Sequence, residues 1–158
     1  MKKNKTSERG FFDFPIFPIP DFHKIEDKVD GKGQKSILII YQASPNVAAI
    51  LTNFLSSIFN AAKIDLLNDT YSINLTSQEG CLVSDLYKEK SIQYCFVFGL
   101  PPASIGLQAE IKLYQLTKID GKVYLFADDI ATIHKERQEN GKQLSGALWK
   151  AIQQLFKK

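Results

Sequence analysis

A short, uninterrupted apolar run followed by an amphipathic helix pattern constrains this chain most. Residues 36–41 read Ser-Ile-Leu-Ile-Ile-Tyr, and such a run is typical of a strand buried on both faces of a parallel sheet. Ser44 and Pro45 then fit the N-cap and first position of a helix. Apolar residues follow at spacings of three and four, namely Val47, Ile50, Leu51, Phe54, Leu55, Ile58 and Phe59. This βα unit predicts an α/β fold.

The remaining sequence continues the alternation of strands and helices. Strands are expected near 71–75 and 92–98, with a helix over about 77–88 between them. Asp120-Gly121 separates the apolar segments 113–119 and 122–126, which predicts an antiparallel hairpin. A short helix near 130–135 and a final helix from about 138 or 142 to 156 complete the chain. We therefore expect a three-layer α/β domain, with a mostly parallel central sheet of four or five strands.

The first 34 residues differ from the rest, so we divide the chain into an arm and linker over 1–34 and a single α/β domain over 35–158. Three prolines exclude a helix or a central strand from the arm. Gly31-Lys32-Gly33 indicates a flexible hinge. The arm is nevertheless too apolar for a solvated tail, because it carries Phe11, Phe12, Phe14, Phe17 and Phe22.

Two interpretations of the arm follow from these residues. Its aromatic side chains can pack back onto the domain, covering a sheet edge or a groove. Alternatively, the arm is a short linear motif whose Phe side chains fill pockets on another protein, while proline lowers the cost of ordering the segment. The sequence leaves both open.

The first predicted helix offers a second candidate contact surface. No charged residue occurs between Lys35 and Lys63, although solvated helix faces usually carry Lys and Glu. Depletion of charge is typical of interface cores, whereas chance or cover by the arm explains it equally well. The residues assigned to this partner-binding face are Asn53, Ser56, Ser57 and Asn60.

The loop after the 92–98 strand argues against catalysis. Ligands of open α/β sheets collect beyond the carboxyl ends of the strands, yet residues 99–107 contain no charge, His or Cys. Partner binding is therefore the favoured function. The alternative is a small enzyme or nucleotide-binding protein that uses the 99–106 loop with Asp128 and Asp129, although such a pair is more typical of a helix N-cap.

The amino-acid composition argues against several other classes of function. Twenty basic and 17 acidic residues give a net charge of +3, which is too small an excess to favour direct nucleic-acid binding. His23 and His134 are the only histidines, so a metal cage or a histidine-based triad has little to draw on, and no cofactor is predicted. Cys81 and Cys95 lack a CxxC spacing, and we expect buried, reduced thiols in a cytoplasmic protein without a membrane span.

Several short segments between Tyr94 and Phe156 resemble a family of small bacterial proteins related to the psi subunit of the DNA polymerase III holoenzyme. They include Phe-Val-Phe-Gly-Leu-Pro-Pro at 96–102, Leu-Phe-Ala-Asp-Asp at 125–129 and Gly-Ala-Leu-Trp-Lys-Ala-Ile at 146–152. The resemblance implies a non-enzymatic adaptor that is similar in outline to uracil-DNA glycosylase-type folds. It also implies a clamp-loader-type partner, and possibly a chi-like one, with the N-terminal arm docking on the clamp loader. Trp149 is expected to anchor the last helix in the core.

Overall fold

The computed structural model describes residues 28–75 and 81–156. Within these ranges the helices are α1 (Ala48–Ala61), α2 (Leu66–Asp69), α3 (Val83–Glu89), α4 (Ile130–Gln138) and α5 (Gln143–Phe156). The strands are β1 (Val29–Asp30), β2 (Ile37–Tyr41), β3 (Thr70–Asn74), β4 (Tyr94–Phe98), β5 (Thr117–Ile119) and β6 (Lys122–Ala127).

The strands form one mixed sheet in the order β1-β3-β2-β4-β6-β5. The four central strands run parallel, and the short edge strands β1 and β5 each pair antiparallel with their neighbour. The Asp120-Gly121 hairpin is confirmed, although its first strand covers only 117–119 because the chain before it is irregular. The chain leaves β2 for β3 on one side and then returns to β4 on the other. The carboxyl ends of β2 and β4 therefore mark the point where an α/β sheet usually binds ligands.

Two apolar clusters, one on each face of the sheet, make the fold a three-layer α/β structure. Alternate residues of β2 point to opposite faces: Ile37 and Ile39 join α1, α4 and α5, whereas Leu38 and Ile40 join α3 and the loop after β4. Every residue of β2 is buried, as the continuous apolar run predicts. The expected fold class is therefore confirmed, although the described residues form six strands rather than the expected four or five, because the short edge strand β1 was not predicted.

The first helix begins later than Ser44 and Pro45 predict. Residues 45–47 form a turn, and α1 starts at Ala48 with no side-chain hydrogen bond from Val47 at its N-cap. Leu51, Leu55 and Phe59 form the buried side. Ile50 lies about 100° around the helix from Leu51 and is 53% exposed. The apolar stripe is thus narrower than expected, and Val47 and Ile50 face away from the core.

The segment expected to form a flexible hinge is hydrogen-bonded to the sheet region. Val29 and Asp30 pair with Ile73 and Ser72 of β3, and the amide of Lys32 donates to the carbonyl of Leu67 at 2.8 Å. The left-handed backbone of Gly31 brings it so close to the carbonyl of Thr70 that a β-carbon would not fit. Glycine is therefore needed here for a close backbone contact.

The remaining differences lie at the ends of elements. The helix expected over 77–88 is α3, which begins at Val83 within the described residues, and residues 76–80 lie outside them. The helix near 130–135 extends to Gln138. Residues 1–27 also lie outside the described ranges, and with them the five arm residues Phe11, Phe12, Phe14, Phe17 and Phe22.

Candidate functional site

The loop after β4 is filled by its own apolar side chains. Pro102–Ile105 form one 3₁₀ turn, and Ile105 is fully buried in the cluster that contains Leu38 and Ile40. Leu100 and Leu107 pack against the same cluster. The carbonyl of Ser104 accepts a hydrogen bond from the amide of Cys81 at 2.9 Å, which attaches the loop to the chain before α3. The loop therefore closes this side of the core.

Asp128 and Asp129 take separate structural places at the end of β6. The hydroxyl of Tyr114 donates to Asp128 Oδ2 at 2.7 Å, and the amide of Asp128 donates back to that hydroxyl at 3.3 Å. Asp129 occupies the N-cap position of α4 but forms no side-chain capping hydrogen bond, so only its position agrees with the expected N-cap. Gly99 lies against it, since a β-carbon on Gly99 would sit 2.8 Å from Asp129 Cα.

The carboxyl ends of β2 and β3 are joined by a polar clamp. The side-chain amide of Asn74 accepts from the Ala43 amide at 2.8 Å and donates to the Ala43 carbonyl at 3.1 Å. The hydroxyls of Tyr41 and Thr52 lie 3.3 Å apart and link β2 to α1. These polar atoms satisfy one another and hold the first loop in place.

Both cysteines are buried free thiols, as expected. Burial raises the pKa of Cys81 from 9.0 to about 12, and burial likewise raises the pKa of Cys95. The thiolate is the nucleophilic form, so neither side chain is activated for attack at neutral pH. Among residues 28–75 and 81–156, no group of three or more His, Cys, Asp or Glu side chains is placed to hold a metal ion.

An open groove of about 350 Å³ lies on the outer surface of the helical layer formed by α1, α4 and α5. Phe54 and Ile58 of α1 and Trp149 of α5 line its apolar part, and all three are half-buried and pack on the core beneath. The ring of Phe54 meets His134 edge-on, with centroids 4.8 Å apart. The smaller residues of the groove wall are Ser57, Ala61, Ser145 and Gly146.

Two cationic side chains, Arg137 and Lys142, stand at the edge of this groove. Both residues are exposed. The turn between them is fixed by Glu136, whose carbonyl accepts from the Gly141 amide at 2.8 Å and whose Oε1 accepts from the Leu144 amide at 2.8 Å. The groove therefore combines an aromatic surface with a positively charged edge. The turn that joins α4 and α5 at this edge is held by hydrogen bonds.

The polar residues assigned to the face of α1 do not all reach this groove. Ser57 lines it, and its hydroxyl donates to the Phe54 carbonyl at 2.7 Å. Asn53 and Asn60 are exposed and Ser56 is half-buried. The side-chain amide of Asn60 donates to Ser56 Oγ at 3.4 Å. Of the four predicted residues, only Ser57 thus lines the groove.

Sequence reasoning missed the rest of the groove because its residues come from three separated helices. Trp149 was expected to anchor the core, and it does pack against the core cluster while it also lines the groove. Gly146 is the one available signal, because a glycine inside an amphipathic helix costs stability relative to alanine. A β-carbon added there would have nothing within 4 Å, so this glycine widens the groove.

No protein-family model matches this chain, and a search of curated proteins finds no match. The resemblance to psi-like proteins therefore stays a prediction. In the described part of the chain, no helix has the length and apolar character needed to cross a membrane.

Proposed function

We propose that this protein is a non-catalytic adaptor that captures a protein partner, in the manner of the psi accessory subunit of a replicative DNA polymerase. The observation that carries the proposal is the filled loop after β4, where fully buried Ile105 stands at the usual ligand end of the sheet. A polar pocket at that place favours an enzyme, whereas an apolar plug favours a binding module.

The chemistry of the neighbouring side chains supports the same proposal. Asp128 is engaged by Tyr114, and Asp129 adds a second carboxylate beside Gly99. Two adjacent carboxylates repel the phosphates of a nucleotide at close range. These contacts therefore favour the adaptor over the nucleotide-binding alternative.

The proposed partner-binding surfaces are the Phe-rich arm and the uncharged face of α1. In the described residues, Asn53, Ser57 and Asn60 of that face are exposed and carry no charge. Ile50 beside them is also exposed, and an uncharged surface with an apolar residue has the composition of an interface core. The proposed partner is a clamp-loader-type subunit, with a chi-like subunit as a second one, in the cytoplasm of a bacterium.

The experiment that tests the proposal is a pull-down with the full chain, with the bound proteins identified by mass spectrometry. The Phe12→Ala, Phe14→Ala, Phe17→Ala triple variant should lose the partner, and Asn53→Glu with Asn60→Glu should weaken its capture. Ser84→Glu with Lys88→Glu places the same residue type on exposed positions of α3, on the opposite layer, and should leave capture unchanged. Equal capture by all four proteins would contradict the proposal.

A further inference from the structure

We infer that the groove between α1, α4 and α5 is the docking site for this protein's own N-terminal arm, which it binds through the Phe-rich segment 11–22. This docking takes place in the free protein and needs no partner. Three independent features of the molecule lead to it.

The first feature is the chemistry of the groove surface. Phe54 and Trp149 present aromatic rings to the groove, and aromatic side chains pair favourably edge-to-face or in offset stacks. A volume of about 350 Å³ is at the small end of ligand sites. It therefore suits a few side chains of an extended peptide better than a folded domain.

The second feature is charge. Arg137 and Lys142 at the edge of the groove have no ion-pair partner among residues 28–75 and 81–156. The arm segment 11–22 carries Asp13 and Asp21 among its aromatic residues and has no basic residue. An acidic and aromatic segment is the complement of an aromatic groove with a cationic edge.

The third feature is the length of the chain and the place where it meets the sheet. Val29 pairs with Ile73 in β1, which is the edge strand next to β3. The groove lies beyond both β3 and β2 and outside one helical layer, because Phe59 of α1 packs on Phe96 of β4. The path from this edge to the groove is therefore about 30 Å. Phe17 precedes Lys28 by eleven residues and reaches about 36 Å in an extended chain, so the segment can arrive at the groove of the same molecule.

Gly146 leaves space for the arm beside the last helix. It lies inside α5 with open space where a side chain would be. Alanine at this position would strengthen the helix, so the glycine is locally unfavourable and keeps the groove open. A larger side chain at this position would fill the groove without disturbing the core.

Trp149 provides a direct readout, because it is the only tryptophan in the chain and it lines the groove. The test measures Trp149 emission and its quenching by acrylamide in the full chain. In the Phe12→Ala, Phe14→Ala, Phe17→Ala variant the emission should move to longer wavelength, and the quenching constant should rise by about twofold or more as the indole loses its cover. The matched control, Lys2→Ala with Lys3→Ala and Lys5→Ala, changes the arm outside the segment and should leave both quantities as in the wild type.

Charge reversal provides a second, independent test. Arg137→Glu with Lys142→Glu should expose Trp149 as the triple variant does, and Asp13→Lys with Asp21→Lys added to that protein should restore the shielding. Far-ultraviolet circular dichroism of each variant verifies the fold. Rescue by the swapped charges is expected only if the two segments meet.

Protein concentration separates docking within one molecule from docking between copies. The shielding should not change on dilution over about a hundredfold range, because an intramolecular equilibrium is independent of concentration. Shielding that disappears on dilution would assign the groove to the arm of a second copy and overturn the inference. Unchanged Trp149 emission and quenching in the triple variant would also overturn it. The emission and quenching of Trp149 are measured on the free protein and do not depend on partner capture in the pull-down. The two proposals can therefore fail separately.

Discussion

Two glycines illustrate how single residues shape this protein in opposite ways. Gly99 adopts a φ of 72° and lies against Asp129, with no room for a β-carbon. Gly146 lies in a regular helix beside open space. The first glycine is required by backbone geometry, whereas the second is not and borders the groove.

The same substitution at these two glycines should therefore change stability in opposite directions. Gly99→Ala should lower the free energy of unfolding by about 1–3 kcal/mol, because alanine is strained at positive φ and would collide with Asp129. Gly146→Ala should raise it by up to about 1 kcal/mol. Urea denaturation of both variants beside the wild type measures the difference. Equal effects at the two positions would contradict the geometry described for Gly99.

The buried thiol of Cys81 makes stability depend on alkaline pH. Its pKa is about 12 in the folded protein, raised by burial from the 9.0 of an exposed thiol. The stabilisation is complete below pH 9 and is lost as the pH rises towards 12, because only the unfolded chain then releases the proton. The loss should not exceed about 1.4 kcal/mol per pH unit for this group.

Urea midpoints at pH 8, 9 and 10 test this dependence. Wild type should lose stability over this range, and Cys81→Ala should lose less of it, although the variant starts lower because a buried side chain is shortened. A Cys81→Ala protein with the same slope as the wild type would assign the alkaline loss to other groups.

At the scale of elements, side chains from neighbouring segments hold the helices in position. α5 receives a cap from outside its own sequence, since Glu136 of α4 accepts from the Leu144 amide. α3 is joined to β6 by the hydroxyl of Tyr87, which donates to the Tyr124 hydroxyl at 2.7 Å. Such contacts between separate elements leave no pattern that can be read locally from the sequence.

Removal of the Glu136 cap should destabilise the fold by about 1 kcal/mol, the usual value of a capping interaction. Glu136→Ala loses the acceptor for the Leu144 amide, whereas Glu136→Gln keeps an oxygen there and should lose less. Glu139→Ala is the control, because Glu139 is exposed on the following turn and its removal should change stability by less than about 0.5 kcal/mol. Thermal denaturation compares the three variants, and an equal cost for Glu136→Ala and Glu139→Ala would refute the cap.

The Tyr87–Tyr124 pair should behave non-additively. Tyr87→Phe leaves the hydroxyl of Tyr124, whose side chain is 2% exposed, without its donor and should cost about 1–3 kcal/mol. The Tyr87→Phe, Tyr124→Phe double variant removes both hydroxyls and should cost less than the sum of the two single variants. A double-mutant cycle by urea denaturation measures the coupling, and strict additivity would show that the hydrogen bond contributes nothing.

At the scale of the whole molecule, the described residues form a sheet with an apolar cluster on each face, and the sequence predicts this architecture well. The continuous run of β2 and the Asp120-Gly121 turn are local signals, and both give the right elements. The predicted start of α1 was wrong because residues 45–47 form a turn before the helix begins at Ala48. The prediction of a flexible hinge was wrong because the amides of Lys32 and Gly33 donate hydrogen bonds to the carbonyls of residues 67 and 70. These residues are distant in sequence.

The candidate site was less predictable than the fold. Ser57 was identified from the absence of charge on α1, but Phe54, Arg137 and Trp149 meet it only through the packing of three helices. Within its own segment, each of these residues fits the pattern of an ordinary amphipathic helix. Their joint surface depends on the turn fixed by Glu136, and no single segment of the sequence contains it.

We propose that this chain binds a partner through its arm and that the domain folds without the arm. The most direct measurement is the Kd of the partner recovered in the pull-down for wild type and for the Phe12→Ala, Phe14→Ala, Phe17→Ala variant, taken together with the melting temperature of each protein. We expect the Kd to rise by about a hundredfold or more, as truncation of aromatic anchors does, and the melting temperature to fall by less than about 3 °C. An unchanged Kd, or a fall in melting temperature of about 10 °C or more that shows the arm to be part of the core, would contradict the account.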